Sequence, residues 1–440
     1  MKVTFITARI QPSHILGALL IGLCFPLFLF PQDLELSEIA DDGLLRKALY
    51  QDWILESPRQ VVSRKPQIYR LLSGNLVQVR SKREGNFLLI FISRLRGNTY
   101  PEWSQGSWIV YRSWPQGEIR AFRFYPRSDP RVYLDFRAAS QGSNTVVDFV
   151  IYGAYRWYER PMGLPWNSFF TLPLHTILNQ PGTADLSSFI SIEPALYQAQ
   201  RTFIEEIRRD LPSLRYADDG ALDEEGRPVF IHTGLPQGEN WGLNCSGFAK
   251  WVVDRFIYAR RGRGLEIEPL KKPPYTRGSS FTEPYETILD PFFGLDWTRN
   301  LAIAAQEVLQ QNQRVTLETV EVQKNPLASL AHPQGLPGER RPYPGYLKNV
   351  GFPIEGLTAL LYTLAVEEPT YFYLGAISTV QPGKPPLRRY YHVVVLIPFF
   401  TPEGTFSVAL FESAAETSFV NFLNRYGGQH INLVRIPLGG

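Results

Sequence analysis

The spacing of apolar positions divides the chain into a short helical start, a long run of strands and a mixed C-terminal half. Between residues 41 and 60, Leu44, Leu45, Ala48, Leu49 and Trp53 recur at helical spacing. From about 64 to 155 the pattern changes to strand. Asn86–Ile92 is rich in β-formers, Ser107–Arg112 and Glu118–Tyr125 flank a turn at Pro115-Gln116-Gly117, Arg131–Phe136 alternates with period two, and Thr145–Val150 follows. Short strands at this regular spacing, punctuated by Gly, Pro, Ser and Asn, predict an antiparallel β-rich domain over residues 41–160. Its aromatic residues (Trp108, Trp114, Tyr125, Tyr133, Tyr155 and Trp157) are expected to form the core and surface of a sheet rather than a ligand platform.

Residues 156–193 carry several prolines and read as a connection. A helix is expected at 194–210, with Phe203, Ile204 and Ile207 facing inward, so that 161–214 forms a linking region with one helix. Asp218-Asp219-Gly220 and Glu225-Gly226 carry the turn chemistry of a short hairpin. The acidic residues there, Asp218, Asp219, Asp223, Glu224 and Glu225, lack the spacing of a calcium loop and read as solvated.

An amphipathic stretch, Ala249–Phe256, follows Leu243–Phe248. A proline-punctuated segment then runs from about 262 to 345, with a helical patch at Leu301–Gln311. Glu355–Val366 predicts a helix, and Tyr371–Ile377, Tyr390–Phe399 and Thr405–Phe411 predict strands. The last two are joined by the hairpin signal Thr401-Pro402-Glu403-Gly404. A short helix at 416–424 and a strand at 431–436 complete an α+β pattern over residues 215–440.

Composition fits a globular chain. The 440 residues are 44% hydrophobic and 20% charged, enough for two or three domains. A net charge of +3 with no run of like charges argues against a nucleic-acid partner or a polybasic membrane patch. The N-terminus changes the picture. Residues 15–30 are apolar throughout, Lys2 and Arg9 precede them, and Asp33, Glu35 and Glu38 follow. This asymmetry places the body of the protein outside the cytosol, in the periplasm or cell envelope. Residues 1–32 read as a signal peptide or as an uncleaved anchor in the inner membrane. Pro26 and the lack of a clear small-x-small site leave both open, and Leu23 makes Cys24 a poor lipidation site.

Export gives the cysteine count its meaning. Apart from Cys24, Cys245 is the sole cysteine, so the exported body cannot form an internal disulfide. Cys245 opens the amphipathic stretch, and a helix N-terminus favours thiolate over thiol. A cysteine nucleophile also needs an imidazole and a group that fixes its tautomer. Six histidines are available. His14 lies in the export segment, His175 and His332 in proline-containing loops, His232 near the hairpin, and His430 at the last strand. His392 begins the apolar run His392–Ile397, where a rigid strand end would present an imidazole. Folding the hairpin about Pro402-Glu403 brings residues 412–413 beside it. Simple pairing puts Ser413 opposite His392, and a bulge or three-residue loop puts Glu412 there. Glu412 is the better third member on chemistry, Ser413 the alternative on register. No metal-ligand spacing and no cofactor motif is present.

Leu243-Asn244-Cys245-Ser246-Gly247-Phe248 resembles the Asp-Cys-Ser-Gly-Leu/Phe/Val signature of the NlpC-type cell-wall cysteine peptidases, which are papain-like. His392-Val393-Val394-Val395 is similar to the family's His-Val-Gly-Ile context, and Leu410-Phe411-Glu412-Ser413-Ala414 to its following strand, which ends Phe-Ile-His-Ala-Ser. The resemblance covers residues 215–440 and favours Glu412 as the polar partner. It implies a papain-like α+β domain that cleaves amide bonds in peptidoglycan peptides or another envelope amide substrate. It also implies that Cys245 attacks, His392 carries the proton and Glu412 orients the ring. The chain departs from the family at Asn244, where an aspartate is usual. The long Cys245-to-His392 separation makes residues 262–345 an insertion, read as a lid or substrate wall. The family's upstream tyrosine has no clear equivalent among Phe230, His232 and Trp241. The Cys245 backbone N–H is the oxyanion donor expected. Two other functions are weighed: a non-catalytic envelope scaffold with Cys245 buried, and a thiol acyltransferase or esterase acting on lipid-linked substrates. The β-rich domain is expected to recognise substrate or a partner.

Overall fold

A computed structural model describes residues 39–438, apart from Ala40, Asp42, 141–143, Ala184, 275–289, Asn312, 331–342 and 384–385. The apolar run at 15–30, His14 and His332 lie outside the described residues. Among the described residues no helix is long and apolar enough to cross a membrane. The protein has mixed α and β structure and divides into two units between Ile192 and Glu193.

The first unit is built on an antiparallel meander of eight strands in which each pairs with the next in sequence. These are β1 (Gln67–Arg70), β2 (Leu76–Glu84), β3 (Phe87–Arg94), β4 (Trp108–Ser113), β5 (Ile119–Phe124), β6 (Val132–Ala138), β7 (Asn144–Ile151) and β8 (Ala154–Pro165). β2 escapes a hydrophobicity reading because only Val77 and Val79 are buried, while its far end, Arg83-Glu84, faces solvent. β8 extends into the stretch read as a connection. Pro161 and Pro165 are tolerated because β8 is an edge strand whose pairing with β7 shifts register three times. The expected helix at 41–60 is three pieces, Leu44–Leu49, a π-helical turn at Tyr50–Leu55, and Pro58–Val62, broken where proline bars helical geometry for Ser57. Trp108 packs against Phe124 with ring centroids 4.8 Å apart, and Tyr125, Tyr133, Tyr155 and Trp157 are also buried. Trp114 is partly exposed beneath the Arg83 guanidinium. A buried polar pair in this apolar sheet is bidentate: Arg123 donates to Asp135 at 2.7 and 2.9 Å across β5 and β6.

The second unit carries a six-stranded antiparallel sheet with order β11-β16-β12-β13-β14-β15. Its strands are β11 (Phe352–Pro353), β12 (Tyr371–Gln381), β13 (Leu387–Phe400), β14 (Phe406–Glu412), β15 (Ala415–Glu416) and β16 (His430–Pro437), and a separate hairpin pairs β9 (Gly220–Leu222) with β10 (Pro228–Phe230). Val393, Val395 and Ile397 of β13 share a core with Val252 and Val253 of the Cys245–Arg261 helix. The expected helix at 194–210 is a 3-10 turn at Pro194–Tyr197 running into Gln198–Asp210, with Phe203, Ile204 and Ile207 buried.

The segment 262–345 contributes the helix Phe293–Leu309. Trp297, Leu301, Ala302 and Ala305 of this helix are buried in the same core as the Cys245 helix, so this part of the segment is a packing layer rather than a surface lid. The layer is locked by a buried polar network. Arg299 donates to Glu321 at 2.6 Å, and Tyr346 and the Asn432 amide donate to the other carboxylate oxygen at 2.8 and 2.7 Å. Removing the carboxylate strips a fully buried guanidinium of its counter-charge. Glu321→Ala is therefore expected to destabilise the fold by about 3–5 kcal/mol. Urea unfolding followed by fluorescence checks this, and a loss below about 1 kcal/mol would show that the network is dispensable.

Candidate active site

The Cys245 helix begins where two glycines let backbone meet backbone. Asn244 is the N-cap, with extended φ/ψ, and its side-chain oxygen accepts the Gly247 N–H at 2.8 Å. Asparagine thus does the capping work of an aspartate without its charge. The Asn244 N–H is held by the Gly220 carbonyl at 3.0 Å, and a Cβ on Gly247 would lie 2.0 Å from that same oxygen. The β9–β10 hairpin therefore sits flush against the first helical turn, which only glycine at 247 permits. On the other side the Trp297 indole donates to the Ser246 carbonyl at 2.9 Å. The nucleophile candidate is fixed from both sides by groups with no acid–base role.

His392 lies in β13, opposite Ile377 of β12, and the pairing slips at the next step, so that Ser378 faces Tyr390. The slip leaves Tyr391 as the extra residue of β13, and His392 lies inside that strand, five residues past its start, rather than at its beginning as expected from the sequence. β13 and β14 pair with Val395 opposite Phe411, a register that places Glu412 across from Val394. Neither Glu412 nor Ser413 is directly opposite His392, contrary to both registers considered from the sequence. Glu412 is instead the diagonal neighbour on the same face, within reach of a long side chain. Its Oε2 lies 2.7 Å from His392 Nε2. Ser413 and Ala414 occupy the tight turn between β14 and β15 with φ of 49° and 63°, which removes Ser413 from the role.

The three residues are electrostatically coupled. Glu412 occupies Nε2 of His392, which leaves Nδ1 as the ring nitrogen for Cys245. Burial opposes ionisation of Cys245, but the hydrogen bond and charge of His392, the Val393 N–H and the Ser246 hydroxyl outweigh it and bring the thiol below its ordinary range. Burial likewise disfavours His392 imidazolium, and its bonds to Cys245 and Glu412 reverse this and raise it to about 9. Cys245 is densely surrounded yet keeps partial solvent exposure, as does His392.

Glu412 is held by more than the imidazole. Thr417 and Arg425 each donate to Oε1 at 2.7 Å, and Tyr426 donates to Oε2 at 3.3 Å. Desolvation pushes the carboxyl up, but the His392 and Thr417 hydrogen bonds and the His392 and Arg425 charges bring it down to about 2. Tyr426 also stacks on the His392 ring, centroids 5.6 Å apart and planes 23° apart. Arg425 and Tyr426 come from the helix Phe419–Tyr426, and nothing in its amphipathic pattern distinguishes this role from ordinary packing.

Tyr216, which precedes the acidic turn, donates its hydroxyl to Asp218, and that bond, burial and the charges of Asp218 and Cys245 raise its pKa. The acidic loop is otherwise structural: Asp219 accepts the His232 N–H and Asp223 accepts backbone N–H groups of Glu225 and Arg227. Among the described residues no cluster of His, Cys, Asp and Glu could hold a metal. His430 faces Ser378 in the sheet, and His175 belongs to the first unit.

A model described as a domain of unknown function (DUF8515) matches residues 35–188, most of the first unit and none of Cys245, His392 and Glu412. No curated protein and no solved structure matches the chain.

The coupled groups define a pH window. The proton on His392, which titrates at about 9 against an ordinary 6.5, stabilises the folded pair fully below pH 6.5 and stops doing so as pH rises through 9. Glu412, depressed to about 2 from 4.5, contributes above pH 4.5 and loses its contribution as pH falls toward 2. Alkylation by iodoacetamide, read by mass, is expected at neutral pH in the native protein. His392→Ala should move its onset up to the ordinary thiol range near about 8.5. The same onset in both proteins would mean the imidazole does not activate the sulfur. Glu412→Gln is expected to lower the pH at which His392 loses its proton from about 9 toward 6.5, measurable by NMR of the ring.

Proposed function

We propose that the unit beginning at Glu193 is a papain-like cysteine hydrolase, and that it cleaves amide bonds in peptidoglycan peptides outside the cytosol. The observation that carries this reading is the grouping of Cys245, His392 and Glu412, with the Cys245 residue partly exposed and a carboxylate 2.7 Å from His392 Nε2. A scaffold has no need of a buried carboxylate with four donors aimed at an imidazole.

The reaction follows from the protonation states. In the resting pair the sulfur is thiolate and His392 is imidazolium. Sulfur attacks the carbonyl carbon, and the oxyanion forms beside the first turn of the helix, where the Cys245 N–H is the donor we assign. Collapse breaks the C–N bond, and the leaving nitrogen takes the proton from His392 Nδ1. A thioester joins Cys245 to the acyl half. Neutral His392 then removes a proton from water, the hydroxide attacks the thioester, and the carboxylic acid leaves with thiolate and imidazolium restored. Glu412 keeps its proton off throughout, since about 2 lies far below any working pH, and holds the tautomer that points Nδ1 at sulfur.

The substrate class rests on the resemblance at Asn244–Phe248, His392–Val395 and Leu410–Ala414, and the location on the charge asymmetry about residues 15–30. Incubation of the full chain with purified muropeptides, read by chromatography and mass spectrometry, is expected to release one new amine and one new carboxylate per cut. Cys245→Ala should reduce this to the uncatalysed background. Undiminished cleavage by that variant would remove Cys245 as nucleophile, and turnover of ester but not amide substrates would favour an esterase.

A further inference from the structure

A half-exposed cation stands one carboxylate away from His392. Arg425 belongs to the helix Phe419–Tyr426, and 54% of its side chain faces water although its partner Glu412 is only 6% exposed. Its Nη1 donates to Glu412 Oε1 at 2.7 Å, and its Cζ lies 5.6 Å from the Tyr426 ring centroid. A guanidinium carries five donors in a planar fork, so one bond from Nη1 leaves the Nε–Nη2 edge for a second carboxylate.

The charge around Arg425 is thinly shared. Among the described residues, Glu412 is the carboxylate it pairs with. That carboxylate also accepts Thr417 on Oε1, and His392 and Tyr426 on Oε2. The acidic groups flanking the helix are engaged elsewhere: Glu416 accepts Arg208 at 2.8 and 2.6 Å, and Glu355 accepts the Gly428 N–H. An arginine so placed does more than a counter-ion to Glu412 requires, because the buried Thr417, Tyr426 and His392 bonds already satisfy that group.

The reaction sets the direction. His392 gives its Nδ1 proton to the leaving nitrogen, so the leaving half of the substrate passes beside the imidazole. Glu412 joins the far edge of that ring to Arg425, its two oxygens meeting Nε2 and Nη1 at 2.7 Å each. The guanidinium therefore lies about 10 Å from the scissile nitrogen, a span that a leaving half of about two residues covers with its terminal carboxylate.

We propose that Arg425 is a specificity-determining residue and that the preferred substrate ends in a free carboxylate about two residues beyond the scissile bond, bound by the open edge of the Arg425 fork. The enzyme then trims peptide ends: an amidated end, or a cut far inside a long chain, offers no carboxylate to the fork. The inference rests on Cys245 and His392 acting as the proposed pair.

The test uses two thiol labels that differ in one charge, bromoacetyl-glycylglycine and its carboxamide. Each alkylates Cys245 with loss of bromide, and iodoacetamide reports the reactivity of the thiol itself. Rates on the full chain at low salt are read by intact mass. The carboxylate label is expected to react at least fivefold faster than the carboxamide. Arg425→Met should bring the ratio to about one, whatever it does to the iodoacetamide rate. If that variant does not fold, Arg425→Lys, which keeps a cation for Glu412 but lacks the fork, should lower the ratio at least twofold. Equal rates for the two labels, or an unchanged ratio in the folded variant, would overturn the carboxylate preference alone. No alkylation of the native protein by any of the three reagents would sink the reading of Cys245 and this inference with it.

Discussion

The carboxylate of Glu412 is the group on which the rest of the second unit's chemistry depends. An acidic side chain almost closed off from water would ordinarily take up a proton. Here four donors from three elements keep it ionised: His392 from β13, Thr417 after β15, and Arg425 and Tyr426 from the last helix. Its charge raises the proton affinity of the imidazole, and the imidazole in turn lowers that of the Cys245 thiol.

Much of this was legible in the sequence, and the failures share a cause. The Cys245 helix start, the apolar run His392–Ile397 inside β13 and the hairpin about Pro402-Glu403 follow from local patterns, which report local structure. Pairing Glu412 with His392 needed more, because the β13–β14 register and the diagonal reach of glutamate are tertiary facts. Tyr426 was invisible for the same reason: a tyrosine in an amphipathic helix looks the same whether it packs or orients. In the first unit, β2 was hidden because a strand with solvent on one side and charge at its end carries little apolar signal. β8 was hidden because its prolines read as loop until its edge position is known.

The segment between the nucleophile and its base illustrates how length misleads. A long, proline-rich separation suggests an excursion at the surface, yet Phe293–Leu309 lies in the core beside the Cys245 helix, and Trp297 holds the Ser246 carbonyl. What separates Cys245 from His392 in sequence is therefore part of what holds Cys245 in place.

Sheet order adds a matter of timing. β16 lies between β11 and β12, so the last strand of the sheet to be synthesised is an interior one. β12 cannot be paired on both edges, nor β11 paired at all, until residues 430–437 have left the ribosome. By then the Cys245 helix, more than a hundred residues upstream, has long been made. Non-local pairing of this kind is slow to form. The core shared by the Cys245 helix and β13 therefore closes only after Val434 and Ile436 of β16 arrive to complete it.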